Sequence, residues 1–232
     1  MSKKVKLEMG YPAGNNSDQV KHSNLVCLAK ELAPSMSNYT EFHSGVGIAD
    51  NGYVGSSWRV INELRISGND CPIYLHESNP ENHNKLVHFL SKRYKSFYGA
   101  NIVVNYSWRD NLEDSVRRLD KNSLVLIDPT DINAYSEKNG IFDNLELILS
   151  KNPSLFFFLP QRLNSSESKK HSRIVSLLKK RLDSHNAFYT DIIHSVEKGW
   201  FSRKDHNILV CDNSSVLKKV EENSKRASEL AF

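Results

Sequence analysis

Asp128 and Pro129 close the run "SLVLIDP", and their types and setting suit chemistry. The apolar stretch before them reads as a buried parallel strand, and open parallel sheets bind ligands beyond the carboxyl ends of their strands. Asp and Pro are also ordinary turn residues, so a plain strand-terminating turn fits the same letters.

Three further stretches carry candidate groups. In "EFHSGVGIAD" a strand runs into Gly45 and Gly47, whose missing side chains permit close backbone approach to a cofactor, with Glu41 and His43 expected at the rim of the same crevice. The third glycine of the dinucleotide fingerprint is absent, which argues against NAD. Glu77 ends the next strand in "IYLHESNP", where an acid can accept hydrogen bonds from both ribose hydroxyls of an adenosine-containing cofactor; a solvated carboxylate opening the following helix is the plainer alternative. In "YPAGNNSDQVKHSNL" the residues Tyr11, Asn15, Asn16, Asp18, Lys21 and His22 crowd a helix start, whose free N–H groups favour a carboxylate or phosphate. The same letters also suit a capped helix with Lys21 and His22 on an exposed face.

Positioning these groups requires strands and helices in alternation, and the apolar pattern supplies them. Strand-like runs fall at Tyr39 to His43, Cys71 to Glu77, Asn101 to Tyr106, Ser123 to Asp128, Ser154 to Pro160, Ala187 to Ile193 and Asn207 to Asp212. Helical stripes fall at Asp18 to Leu32 (Val20, Leu25, Leu28, Leu32) and Ser166 to Leu182 (Ile174, Leu177, Leu178, Leu182). Further helices are predicted at Ser56 to Arg65, Pro80 to Tyr94, Arg109 to Leu119, Phe142 to Leu149 and Ser214 to Leu230. Such alternation implies right-handed crossovers and an α/β fold with a mainly parallel sheet flanked by helices. The last two strands, joined without a clear helix, suit an antiparallel pair at the sheet edge. That is the Rossmann-like class I methyltransferase arrangement of seven strands, by analogy of fold.

Composition narrows the class. The chain has 232 residues, 39% hydrophobic and 25% charged, as expected of an ordinary globular protein forming a single domain over 1–232. A net charge of +4 permits an anionic partner without demanding one. Cys27, Cys71 and Cys211 match no metal-ligand spacing or disulfide framework, so no metal is expected and reduced thiols suit a cytoplasmic setting. No apolar run is long enough to span a membrane, and "MSKKVKLEMGYP" lacks the apolar core of a signal peptide. A monomer is the default expectation.

The opening "YPAGNNSDQVKH" resembles the Y-H-A-G-N-x-A-D-x-x-K-H motif of the RlmJ family, bacterial adenine-N6 methyltransferases of large-subunit ribosomal RNA. Later motifs follow in the same order: "EFHSGVG" is similar to D-T-H-A-G-x-G, "VGSSW" to P-G-S-P, "HESNPEN" to the E-L-H-P segment and "LVLIDPTD" to L-I-L-I-D-P-P-Y. The likeness runs from Tyr11 to about Arg162, with a fainter echo of R-G-M in "EKGWFSRKDHNILVCD".

The resemblance implies S-adenosylmethionine as cofactor, held by Lys21, His22, His43, Ser56, Glu77, Ser107 and Asp128 together with Gly45 and Gly47 of the glycine loop. It makes residues 1–33 a helical extension that contacts the cofactor, and RNA, rather than DNA, the favoured partner. Asp128 becomes the catalytic carboxylate, with the Pro129 carbonyl as a second acceptor for the target amine. Tyr11, Asn15, Thr130 and Asp131 would face the acceptor.

In "DPTD", Thr130 and Asp131 replace the Pro and the base-stacking aromatic of D-P-P-Y, and only Ile48 to Val54 stands where the family carries a long insertion. Tyr135, Trp108 or Trp200 could supply a substitute aromatic, although packing is the plainer role for each. The basic run Ser168 to Arg181 could touch phosphates or simply be a solvated helix face. The alternatives to RNA methylation are a small-molecule or protein acceptor, or a non-catalytic protein that binds cofactor or RNA.

Overall fold

The seven strands line up in the order β3-β2-β1-β4-β5-β7-β6. The computed structural model describes residues 16–95, 99, 101–129, 133–136, 138–162, 168–194 and 203–231. Strands β1 (Asn38–Phe42), β2 (Ile73–His76), β3 (Ile102–Asn105), β4 (Ser123–Ile127) and β5 (Ser154–Arg162) pair in parallel. Strand β7 (Arg203–Val210) runs antiparallel between β5 and β6 (Ala187–His194). This is the Rossmann-like class I methyltransferase sheet, with the expected antiparallel pair at one edge. Strand β7 begins earlier than its apolar letters suggest, because its polar first half is paired on both sides, by β5 and by β6.

Period-two alternation splits the buried side chains between two layers. On β4, Leu124 and Leu126 face a core shared with α1 (Asn16–Leu32), α2 (Ser56–Ile66), α3 (Pro80–Arg93) and α8 (Ser214–Ala231). Val125 and Ile127 face the opposite core, with α4 (Leu112–Arg118), α5 (Asn133–Ser136), α6 (Ile141–Leu149) and α7 (Ser168–Arg181). The next residue, Asp128, continues the even-numbered series and so emerges on the α1 side.

Helix α1 buries Val20, Leu25 and Leu28 completely, as its stripe predicts. It is locked to α8 by polar contacts, Asn24 Nδ2 donating to Ser224 Oγ at 3.2 Å and Asn223 Nδ2 to Asn24 Oδ1 at 3.0 Å. The stripe on α7 holds except at Leu177, which is 39% exposed because it sits at the margin of the apolar arc. The short α5 has too few residues for a periodic signal and was not predicted. Residues 109–111, expected as the first turn of α4, form turns instead, with Asn111 Nδ2 donating to the Ser107 carbonyl at 2.7 Å.

Candidate functional site

The carboxyl ends of β1, β2 and β4 lie side by side, since Glu41 is in register with both Leu75 and Leu126. A cleft opens above them, lined from α1 by Lys21 and His22, from the loop after β1 by His43, Gly45 and Gly47, and from β4 by Asp128. Ser56, the first residue of α2, closes one side. Seven of the predicted cofactor residues are thus brought together.

Lys21 is the electrostatic centre. Its Nζ lies 2.8 Å from Asp128 Oδ2 and 3.2 Å from Asp18 Oδ1, and 4.4 Å from the centre of the Phe158 ring. Burial alone would favour a neutral amine, but Asp128 and Asp18 outweigh it and hold the ammonium above the usual lysine range. Among the described residues, two of its three N–H donors are committed.

The glycine loop turns on left-handed backbone at Gly45 (φ 63°) and Gly47 (φ 77°). A Cβ on Gly45 would meet nothing within 4 Å, whereas one on Gly47 would press to 2.9 Å from Phe89. The first glycine therefore keeps the cleft open, and the second packs the loop on α3. His43 also has positive φ (116°), a strained conformation for a residue with a side chain. Burial pushes its imidazole down to about 3, helped by Arg109 and His76, so it is neutral. Its buried Nδ1 has no hydrogen-bond partner among the described residues.

Glu77 is buried rather than solvated, and it fastens the loop from behind. Its Oε2 accepts from the Gly45 N–H at 2.8 Å and its Oε1 from the Asn79 N–H at 2.8 Å. Each oxygen retains a lone pair for a hydroxyl donor. Asn79 in turn caps α3 by accepting from the N–H groups of Glu81 and Asn82, with Pro80 in the first turn.

Several expectations require correction. Glu41 is not at the rim: it is fully buried beneath the cleft, because the odd-numbered face of β1 is covered by α1 and α2. Its carboxyl accepts from Tyr39 Oη at 2.9 Å and from Ser56 Oγ, and burial pushes it up to about 7 against the pull of those two hydroxyls. Ser107 lies outside the cleft, in the β3–α4 turn, with Oγ accepting weakly from the Asp110 N–H at 3.4 Å. Trp108 is buried between Phe42 (5.5 Å between ring centres) and His43 (5.9 Å), and Tyr135 is wholly buried, so neither offers a face to a base. Pro129 is buried directly after Asp128. Tyr11, Asn15, Thr130, Asp131 and Trp200 lie outside the described residues.

The aromatic that does line the cleft is Tyr53, which the sequence reading missed. Ile48 and Val54 bridge as a miniature antiparallel hairpin, with the Gly52 N–H donating to the Ala49 carbonyl at 2.8 Å across the turn. The Asn51-Gly52 dipeptide is the signal that would have revealed it. Tyr53 returns from that turn to lie on His22, rings 5.5 Å apart and 16° from parallel, its hydroxyl 3.0 Å from Nδ1. Burial, then Lys21 and Arg59, keep His22 neutral well below the usual histidine range.

No group of three or more His, Cys, Asp or Glu side chains gathers as a metal site, and no helix is long and apolar enough to cross a membrane, among the described residues. No protein-family model and no curated protein matches the sequence. Solved structures do match in shape. WbdD, crystallised with the kinase inhibitor LY294002, aligns with a TM-score of 0.52 and 13% identity, over 85% of this chain and 41% of that one. An rRNA methylase from Streptococcus thermophilus aligns at 0.48 with 14% identity, over 82% and 95%. The O-methyltransferase TomG from Streptomyces achromogenes, in complex with SAM, aligns at 0.50 with 11% identity, over 82% and 79%, and at such identities the likeness establishes a shared fold.

Proposed function

We propose that this chain is an S-adenosylmethionine-dependent methyltransferase acting on RNA. The observation that carries the proposal is the union, in one cleft of a class I methyltransferase sheet, of the glycine loop and the strand-end Asp128 held by Lys21. The cofactor's residues fit: an unsatisfied neutral His43 nitrogen, open space at Gly45, the Ser56 hydroxyl and a buried acid at Glu77 supply donors and acceptors suited to an adenosine and its polar tail. S-adenosylmethionine supplies an electrophilic methyl group, and the TomG structure of the same fold holds that molecule.

The chain's own contribution is alignment and charge placement. Asp128, paired with a cation, presents acceptor oxygens to a donor on the nucleophile, and Lys21 and Asp18 fix its direction. RNA is favoured as acceptor by the RlmJ-like motifs, adenine N6 being the atom those motifs imply, and by the net positive charge. A second acceptor class, a small molecule or protein, is favoured by one observation: Trp108 and Tyr135, two of the three substitutes for the missing stacking aromatic, are buried.

Calorimetry with S-adenosylmethionine and its demethylated product tests the cofactor, with binding expected; Asp128→Ala should abolish methyl transfer while leaving the fold intact. Methyl incorporation into total RNA, DNA and a metabolite extract then separates the acceptors. Absence of cofactor binding, together with indifference to Glu77→Ala, rejects the enzyme.

A further inference from the structure

Behind the His22–Tyr53 wall lies a second cleft of about 310 Å³, lined by Gln19, His22, Ser23 and Val26 of α1, by Tyr53 and by Arg59 of α2. The volume is at the small end of ligand sites. His22 and Tyr53 line both clefts, so the two are separated by a single stacked pair.

Arg59 distinguishes this outer cleft. Its Nε donates to the Val54 carbonyl at 3.0 Å, and its guanidinium lies 5.1 Å from the centre of the Tyr53 ring. These contacts hold the plane of the group while leaving its terminal nitrogens without a carboxylate among the described residues. Lys21, the nearby cation of the inner cleft, is by contrast compensated by Asp18 and Asp128. A pre-oriented, uncompensated guanidinium is suited to a phosphate, which it can grip through two N–H groups with little further loss of side-chain freedom. Gln19 and Ser23 line the same opening, the Ser23 hydroxyl accepting from Asn223 Nδ2 at 3.0 Å.

We propose that this outer cleft seats a backbone phosphate of the acceptor RNA on Arg59, anchoring the strand on the far side of the His22–Tyr53 wall from the methyl-transfer cleft. The inference rests on RNA as the acceptor. The hairpin Ile48–Val54 supports the site: it carries Tyr53 and provides the carbonyl that orients Arg59.

The test is fluorescence-anisotropy titration of a short labelled single-stranded oligoribonucleotide at several salt concentrations, with Arg59→Gln and Arg59→Lys beside the parent. Circular dichroism melting verifies folding of each, and calorimetry measures S-adenosylmethionine affinity. The expected result for Arg59→Gln is about tenfold weaker RNA binding and a salt dependence shallower by roughly one phosphate contact, with cofactor affinity kept. Arg59→Lys should recover part of the loss. Unchanged RNA affinity and salt slope in Arg59→Gln overturns the site. Equal losses of RNA and cofactor affinity would assign Arg59 to bracing the hairpin and also overturn it. If the parent binds cofactor but no RNA, this inference fails while the methyltransferase stands; if RNA binding depends on Arg59 but no cofactor binds, the reverse holds.

Discussion

Lys21 and Asp128, 107 residues apart in sequence, meet at 2.8 Å where α1 crosses the end of β4. The contact follows from strand parity: Asp128 emerges on the α1 face because Leu124 and Leu126 already point there. It turns a helix near the start of the described chain into the anchor of the proposed catalytic carboxylate.

Removing that anchor should damage turnover more than folding. Lys21→Met is expected to reduce methyl transfer about as strongly as Asp128→Asn, and the double variant to be little worse than either. Stability should fall by about 1–3 kcal/mol in urea denaturation, below the cost of orphaning a deeply buried charge because the Asp128 side chain keeps 17% of its exposure. Fully additive losses of turnover in the double variant would mean that the two residues act independently.

Glu77 holds the glycine loop through the Gly45 N–H and is the proposed acceptor for the cofactor's ribose. Glu77→Ala frees the Gly45 N–H and removes the acceptor pair, so S-adenosylmethionine affinity should drop at least about tenfold by calorimetry. Glu77→Gln, which retains one acceptor oxygen, should lose less. Equal affinities for all three proteins would remove Glu77 from the cofactor site.

The two loop glycines should respond differently to the same change. Gly45→Ala incurs chiefly the cost of left-handed backbone, about 1 kcal/mol, whereas Gly47→Ala adds a clash with Phe89 and Leu86 on α3. Denaturation midpoints should rank the parent above Gly45→Ala and Gly45→Ala above Gly47→Ala. The opposite order of the two variants would show that the loop does not rest on α3.

Glu41 provides a pH signature. Its carboxyl is raised by burial from 4.5 to about 7, so between those values the folded protein binds the extra proton and stability falls as pH rises, levelling off above about pH 7. The contribution amounts to up to about 3 kcal/mol for a buried group. His43, depressed from 6.5 to about 3, acts in the opposite sense, losing stability as pH falls below 6.5. The comparison is therefore between parent and Glu41→Gln: their stability difference should change between pH 5 and 7 and stay constant above pH 8. A pH-independent difference would show that Glu41 keeps an ordinary carboxyl.

The sequence by itself determined the elements and the place of Asp128. Continuous apolar runs such as Leu124 to Ile127 and stripes such as Val20, Leu25 and Leu28 are local consequences of strand and helix periodicity, so they could be read directly. Gly45, Gly47 and Glu77 were legible for the same reason, as strand-end residues of types that suit a ligand edge. Only tertiary structure decided which charges are compensated and which aromatics are exposed. Glu41 looked like a rim acid until α1 and α2 covered its face of β1, and Trp108 looked available until Phe42 and His43 enclosed it. Burial and pairing depend on groups far apart along the chain, and no periodicity in "DQVKH" or "VGSSWR" records that Lys21 will meet Asp128 or that Arg59 will lie over the Tyr53 ring.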